Sequence, residues 1–181
     1  MVEGKNVILV GFMGTGKTVV GRRLAAALGR EFIDTDAEVE RLTGRTIPEL
    51  FARYGEGRFR TEEARVLAGV CRRGNRVIAT GGGAVLDPAN VERLRESGVV
   101  VWLTAPPVEI WRRVGGAGGR PLLAGAGGLA KVEAMLAARE PHYRRAADFS
   151  VETGGRSVEA VVAAIIEELA RRKVMLGEGA G

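Results

Sequence analysis

The segment from Gly11 to Thr18 reads GFMGTGKT and matches the phosphate-binding loop pattern GxxxxGK[ST]. It follows the apolar run 7–10 and leads into an amphipathic stretch at residues 19–28, which is the strand–loop–helix order that such a loop requires. Its glycines allow the backbone to curl so that successive N–H groups point at phosphate oxygens. The helix that follows adds the positive end of its dipole. The sequence therefore predicts a binding site for a nucleoside triphosphate.

Two side chains of this loop carry distinct chemistry. The ammonium group of Lys17 neutralises charge on the β- and γ-phosphates, and the Thr18 hydroxyl coordinates Mg²⁺. An ordinary glycine-rich turn is the alternative, and the flanking strand and helix patterns argue against it. The predicted nucleotide contacts of the loop are Gly14, Thr15, Gly16, Lys17, Thr18 and Val19.

The bulk composition restricts the class of protein. With 181 residues, of which 46% are hydrophobic and 27% charged, the chain fits one soluble domain at residues 1–175. No apolar run is long enough to span a bilayer, and the N-terminus lacks a signal-peptide pattern. The single cysteine, Cys71, cannot form an intrachain disulfide, so we expect a cytoplasmic protein in which Cys71 is a small core residue.

The basic residues exceed the acidic ones, 27 against 22, but they are scattered along the chain. No run of five basic residues and no basic segment rich in aromatic residues appears, as nucleic-acid binding would favour. We therefore interpret the arginines as ligands for small anionic substrates. No nucleic-acid or membrane partner is expected, and we expect a monomer.

Five short apolar runs predict strands, and helical patterns separate them. Such alternation predicts an α/β fold in which a parallel sheet carries helices on both faces and binds ligands at the carboxyl ends of its strands. The predicted strands are Asn6–Val10, Glu31–Asp34, Arg76–Ala79, 99–103 and 149–151. The predicted helices are 17–28, 37–42 capped by Asp36, 47–54, 58–73, one that begins at Asp87-Pro88, 108–113, 129–145 and 157–173.

Two glycine clusters, at residues 115–119 and 125–128, flank a short segment that contains Arg120 and Pro121. Glycines at both ends of a segment allow large φ/ψ changes, so we predict a mobile lid at about residues 114–128. A floppy surface linker is the alternative. The tail at residues 176–181 is expected to be disordered.

Acidic and basic residues near the second and third predicted strands form a candidate acceptor site. Asp34 and Asp36 end the second strand, where one carboxylate can serve Mg²⁺ and the other an acceptor hydroxyl; capping of a helix by Asp36 is the alternative. Arg60 can bind a carboxylate bidentately, and Glu63 lies on the same helical face; a solvated surface pair is the alternative.

The third strand runs directly into Gly81, Gly82 and Gly83, which expose backbone N–H groups with no side chain in the way. A plain loop rarely needs three consecutive glycines at that place, so we predict that they contact a ligand. His142, the single histidine, is not needed by phosphoryl-transfer chemistry of this type and is interpreted as incidental.

In their order and spacing these motifs resemble those of the shikimate kinases. They comprise the phosphate loop, DTD at 34–36, FRTEE at 59–63, GGGAV at 81–85, RPLL at 120–123, and PHYRR at 141–145 after Arg139. The resemblance covers residues 5–170. It implies a three-layer P-loop kinase fold close to the nucleoside monophosphate kinases, with a five-stranded parallel sheet ordered 2-3-1-4-5. It also implies transfer of the γ-phosphoryl group of MgATP to the 3-hydroxyl of shikimate, a step of aromatic amino-acid biosynthesis that yields shikimate 3-phosphate and ADP.

The resemblance also implies a role for each matching residue. Catalysis is assigned to Lys17, Asp36 and Arg120, with Arg120 delivered by the lid. Mg²⁺ is held by Thr18 and, through water, by Asp34. Shikimate is bound by Asp36, Arg60, Glu63, Gly81, Gly82, Gly83 and Arg139, in which Glu63 supports Arg60. Adenine is sandwiched by Arg113 and Arg156.

Two other functions are compatible with a phosphate loop. One is a kinase for gluconate or a nucleoside monophosphate, against which the FRxxE, GGGAV and RPLL motifs argue together. The other is a protein that holds a nucleotide without transferring phosphate, against which the intact set of charged residues argues.

Overall fold

The computed structural model describes residues 4–115 and 127–177, and its centre is a parallel sheet of five strands. The strand order is β2-β3-β1-β4-β5, as the family resemblance implied. Strand β1 pairs with β3 on one side and with β4 on the other, so the phosphate loop leaves the sheet from its central strand. The strands are β1 Asn6–Val10, β2 Glu31–Asp34, β3 Arg76–Ala79, β4 Gly98–Thr104 and β5 Phe149–Glu152.

Helices cover both faces of the sheet and make three layers. Alternate residues of β1 enter two different cores: Val7 and Leu9 face one, and Ile8 and Val10 face the other. All five residues of β1 are buried, which explains why its sequence is nearly continuously apolar. The helices are α1 Lys17–Leu28, α2 Thr35–Thr43, α3 Ile47–Val70, α4 Pro88–Ser97, α5 Pro107–Gly115, α6 Gly128–Ala146 and α7 Val158–Gly177, with a 3₁₀ turn at Ala84–Leu86.

The start of α2 differs from the sequence-based expectation. The cap is Asp34 and not Asp36, so the prediction that Asp36 caps this helix was wrong. Asp34 has an extended backbone, and its Oδ1 accepts hydrogen bonds from the N–H groups of Asp36 and Ala37 at 3.1 and 3.3 Å. Because Asp34 satisfies these N–H groups, the Asp36 side chain is not needed as a cap.

The two helices expected at residues 47–54 and 58–73 form one element, α3, with a kink. Gly55 has φ 78° and ψ 173°, values outside the helical region, and it separates the two helical parts. Thr46 and Glu49 form a capping box at the first turn. The part of α3 after the kink carries Arg60 and Glu63.

The structure also bears on the predictions for the α4 cap, Cys71, membrane-spanning helices and the lid. Asp87 caps α4 with Pro88 at its first position, as predicted. Cys71 is half-buried against the core. Within residues 4–115 and 127–177, no helix has both the length and the apolar character that crossing a bilayer requires. The predicted lid lies mostly outside the described residues, and so do Arg120 and residues 178–181 of the tail.

Candidate active site

The phosphate loop closes on itself through a few internal hydrogen bonds. The buried Thr15 hydroxyl donates to the Phe12 carbonyl at 2.8 Å, so its side chain shapes the loop. The Lys17 ammonium donates to the carbonyls of Gly11 and Phe12 at 2.7 and 2.9 Å, which folds this side chain back over the loop. Gly11 must lack a side chain because a Cβ at this position would lie 2.5 Å from the Leu103 carbonyl oxygen of β4.

The N-terminus of α1 opens into this loop without a side-chain cap. Gly16 is the cap residue, with a left-handed backbone at φ 93° that favours glycine. Since no side chain within residues 4–115 and 127–177 caps the first N–H groups of α1, they are available to an anion along with the positive helix end. Gly14 is also left-handed, at φ 77°, and Val19 is exposed in the first turn. The loop therefore has the form that phosphate binding requires.

Two oxygen ligands meet beside the loop. The Thr18 hydroxyl donates to Asp34 Oδ2 at 2.8 Å, while the other oxygen of Asp34 caps α2. Thr18 comes from the first turn of α1 and Asp34 from the end of β2. A hydroxyl and a carboxylate are hard ligands of the type that Mg²⁺ binds, usually with waters completing its octahedron. The pair therefore fits the metal role predicted for it.

Gly81 lies against two of the predicted acceptor carboxylates. A Cβ at this position would lie 2.6 Å from Asp36 Oδ1 and 2.8 Å from Glu63 Oε1. Its N–H donates to the buried Thr35 hydroxyl at 3.1 Å. Any larger residue here would push the carboxylates away, which explains the first glycine of the three.

The next two glycines lie against the predicted acceptor arginines. A Cβ on Gly83 would lie 2.5 Å from Arg60 Nη1 and 2.7 Å from its Cζ. A Cβ on Gly82 would lie 3.6 Å from Arg139 Nη1, and also 3.6 Å from the Gly11 carbonyl of the phosphate loop. The three glycines therefore bring together the predicted acceptor side chains of α2, α3 and α6 and place them beside the phosphate loop.

Arg60 and Glu63 form a partly buried ion pair on α3. Arg60 Nη1 lies 2.8 Å from Glu63 Oε2, and the Glu63 side chain is only 1% exposed. Burial raises the pKa of the Glu63 carboxyl, and the neighbouring Arg60 and Arg139 oppose that shift. Burial alone would lower the pKa of Arg60, but its bonds to Glu63 and Glu56 raise it. The pair is thus built into the site and is not a solvated surface contact.

Arg139 is held by aromatic residues. Its guanidinium carbon lies 5.5 Å from the centre of the Phe12 ring, a cation–π distance.

One turn further along α6, the fully buried Tyr143 donates from its hydroxyl to the Gly82 carbonyl at 2.5 Å. Its ring stacks on Trp102 of β4 with centroids 5.9 Å apart. Burial raises the pKa of Tyr143 to about 12, so the hydroxyl keeps its proton at neutral pH.

Tyr143 was not among the predicted site residues. It belongs to the PHYRR segment and lies four positions after Arg139, so it shares a helical face with that arginine. This spacing was the available signal. The sequence contained no sign of its partner, a carbonyl 61 residues away.

The two arginines predicted to sandwich adenine line one cavity. This cavity of about 250 Å³ is lined by Glu109, Arg112, Arg113, Gly155 and Arg156. Arg113 donates to the Gly14 carbonyl at 3.1 Å and to Thr153 Oγ1 at 3.3 Å, which ties the loop after β5 to the phosphate loop. Arg156 donates to the carbonyls of Glu152 and Ala160. Thr153, a second residue not predicted, is therefore a support for Arg113.

Comparisons with known proteins point to one family. The family model for shikimate kinase matches residues 13–170. The shikimate kinase of Pelotomaculum thermopropionicum is 50% identical over 165 residues, which cover 91% of this chain and 95% of that protein. The shikimate kinase of Symbiobacterium thermophilum is 50% identical over 169 residues, covering 92% and 97%. The solved structure of shikimate kinase from Acinetobacter baumannii in complex with shikimate has a TM-score of 0.87 and 39% identity, covering 99% of this chain and 97% of that one.

Proposed function

The chain belongs to the shikimate kinase family, and on that premise we propose that it transfers the γ-phosphoryl group of ATP to the 3-hydroxyl of shikimate. The observation that carries the proposal is the convergence of Asp36, Arg60, Glu63 and Arg139 on the three glycines beside the phosphate loop. Such a site offers cations for a carboxylate and an acidic group for a hydroxyl. Shikimate carries both of these functional groups.

Phosphoryl transfer needs positioning and neutralisation of charge more than it needs covalent catalysis. The N–H groups of the loop and the N-terminus of α1 hold the phosphates, and Lys17 exchanges its contacts with the Gly11 and Phe12 carbonyls for phosphate oxygens. Thr18 and, through water, Asp34 would hold Mg²⁺, and the ion would supply positive charge for the β- and γ-phosphates. Arg113 and Arg156 enclose the adenine in the cavity between them.

On the acceptor side, Arg60 and Arg139 bind the carboxylate of shikimate. Charge-assisted, bidentate bonds of this kind fix both the position and the orientation of a small acid. Asp36 then orients the 3-hydroxyl and accepts its proton as the oxygen attacks the γ-phosphorus. Gly81, Gly82 and Gly83 allow the ring of shikimate to approach the backbone closely. Arg120, outside the described residues, meets the transferring phosphoryl group.

We infer the remaining properties from the same site. Every side chain assigned a role comes from a single chain, so a monomer is sufficient for activity. The assigned ligands are MgATP and shikimate, with no nucleic acid or membrane, and the working compartment is the cytoplasm. Sedimentation of the purified protein with both ligands tests the monomer, since a dimer that forms on ligand binding would contradict it.

ADP release measured with shikimate, gluconate and AMP in turn tests the activity. Shikimate is expected to raise turnover strongly above the ATP-only rate, because its ring holds the carboxylate and the 3-hydroxyl at a fixed separation, whereas gluconate is an open chain and AMP has no carboxylate. Equal turnover with gluconate or AMP would overturn the assignment in favour of another small-molecule kinase. Tight ATP binding with no acceptor-dependent turnover would instead indicate a nucleotide-holding protein.

Replacement of Arg60 by alanine tests the acceptor site directly. Loss of a charge-assisted contact to a carboxylate typically costs about 2–5 kcal/mol, so shikimate affinity should fall strongly while ATP affinity stays nearly unchanged. Arg65→Ala is the matched control, because Arg65 lies on the same helix and is largely exposed, and its substitution removes the same charge. If Arg60→Ala weakened both ligands equally, Arg60 would be a structural residue.

A further inference from the structure

The guanidinium carbon of Arg60 lies 5.2 Å from the centre of the Phe59 ring, and three further neighbours surround the guanidinium nitrogens. Glu63 accepts from Nη1 at 2.8 Å, and Gly83 packs against the terminal nitrogens. The remaining edge, formed by Nε and Nη2, faces Glu56, whose Oε1 lies 3.3 and 3.2 Å from these two nitrogens. This edge presents two parallel N–H groups, the arrangement that binds a carboxylate bidentately.

Of the three neighbours, only Glu56 is placed to leave. Its side chain is 63% exposed, whereas that of Glu63 is 1% exposed, and its distances to Arg60 are longer. Gly55, immediately before it, is the non-helical residue at the kink of α3, and Gly57 follows it. A Cβ on either glycine would meet no atom within 4 Å, so the segment has open space around it. Glu63 and Gly83, by contrast, are enclosed by the core.

We propose that Glu56 occupies the place on Arg60 that the acceptor's carboxylate takes, and that the acceptor displaces it on binding. This inference rests on the proposed function, because it takes Arg60 as the carboxylate ligand. The exchange replaces one carboxylate by another on the same pair of N–H groups. Glu56 then returns to water at little cost, since it is already largely exposed.

The alternative is that Glu56 stays in place and holds Arg60 in a productive orientation, as an ordinary i,i+4 ion pair on a helix. The two possibilities predict opposite changes in acceptor affinity when Glu56 is replaced. If Glu56 competes with the acceptor, its removal strengthens acceptor binding. If Glu56 positions Arg60, its removal weakens acceptor binding.

Glu56→Gln separates the two. The variant is expected to lower the KM and the dissociation constant for shikimate about twofold. An exposed i,i+4 ion pair contributes a free energy that corresponds to about this factor in affinity. The kcat and the KM for ATP should not change, because Glu56 contacts neither the phosphate loop nor the reacting hydroxyl. The kcat and KM values are measured by ADP release, and the dissociation constant for shikimate is measured by calorimetric titration.

Glu167→Gln is the matched control. Glu167 forms an i,i+4 pair with Arg171 on α7 and is 65% exposed, so its substitution changes the net charge equally but far from the site. It should leave the KM for shikimate unchanged. An unchanged or raised KM in Glu56→Gln, or an equal fall in both variants, would overturn the inference.

The wild-type measurements distinguish this inference from the proposed function. If the wild-type protein bound shikimate but did not phosphorylate it, the proposed function would fail, and the titrations would still decide the role of Glu56. If it phosphorylated shikimate while Glu56→Gln bound it more weakly, only the displacement would be wrong. Absence of any shikimate binding would overturn both.

Discussion

Replacement of Tyr143 by phenylalanine should destabilise the protein through a single lost hydrogen bond. Phenylalanine keeps the aromatic ring and its stacking on Trp102, so the packing of α6 against β4 is retained. What disappears is the hydroxyl that donates to the Gly82 carbonyl at 2.5 Å. The substitution therefore isolates one contact between α6 and the glycine loop.

The magnitude depends on what happens to the Gly82 carbonyl. A buried group that loses its partner typically costs about 1–3 kcal/mol. Gly82 is only half-buried, so water compensates part of this loss, and the variant also avoids burying a hydroxyl. We therefore expect the free energy of unfolding to fall by about 1–2 kcal/mol. For a domain of this size each kcal/mol lowers Tm by about 2–4 °C.

Urea titrations of the wild-type protein, Tyr143→Phe and Tyr54→Phe measure the effect. Tyr54→Phe is the control because Tyr54 is 49% exposed, so loss of its hydroxyl should change stability by less than about 0.5 kcal/mol. The affinity for shikimate should also fall in Tyr143→Phe, since Gly82 lies beside Arg139. If both variants had the same stability, the bond to Gly82 would make no net contribution and the reasoning would be refuted.

Three further predictions concern the same region. Because burial raises the pKa of Tyr143 to about 12 against 10 in the unfolded chain, the unfolded chain ionises first above pH 10, and the free energy of unfolding should fall by roughly 3 kcal/mol between about pH 10 and 12; this fall should be absent from Tyr143→Phe. Gly83→Ala should raise the KM for shikimate about 10- to 100-fold, because its Cβ displaces Arg60, whereas Gly69→Ala on the open face of α3 should not. Asp36→Asn should lower kcat by about 10²- to 10⁴-fold with an unchanged Tm, and near-native turnover would exclude its role as the base.

Much of the fold was predictable because the buried strands of a parallel sheet have a distinctive sequence. The bounds of β1, β2 and β3 match the expected ones residue for residue, and β4 and β5 differ at their ends. The cap of α2 was not predictable, because Asp34 and Asp36 are chemically alike. Only the point at which the strand turns into the helix decides which of them accepts the N–H groups. The break in α3 agrees with the two separate helices predicted at 47–54 and 58–73, and the structure places it at Gly55.

The predictable parts of the candidate site are short sequence patterns in which each residue type has one chemical role. The phosphate loop, the Arg60–Glu63 pair and the three glycines are patterns of this kind. The contacts of Tyr143 and Thr153 were not predictable, because they join residues 61 and 40 positions apart in the chain. Their partners are backbone groups or a distant arginine, and no local spacing indicates such a pairing. The assigned roles of the site residues remain predictions.

Gly82 lies between the phosphate loop and the proposed acceptor site. On one side its backbone lies against the phosphate loop, where a Cβ would be 3.5 Å from the Met13 nitrogen, and on the other side against Arg139. We therefore expect that a displacement of this residue by one ligand would be transmitted to the other. Binding free energies are reciprocal, so the factor by which ATP changes the affinity for shikimate equals the factor by which shikimate changes the affinity for ATP. Calorimetric titration of shikimate with and without a non-hydrolysable ATP analogue, and of that analogue with and without shikimate, measures this coupling free energy from both directions.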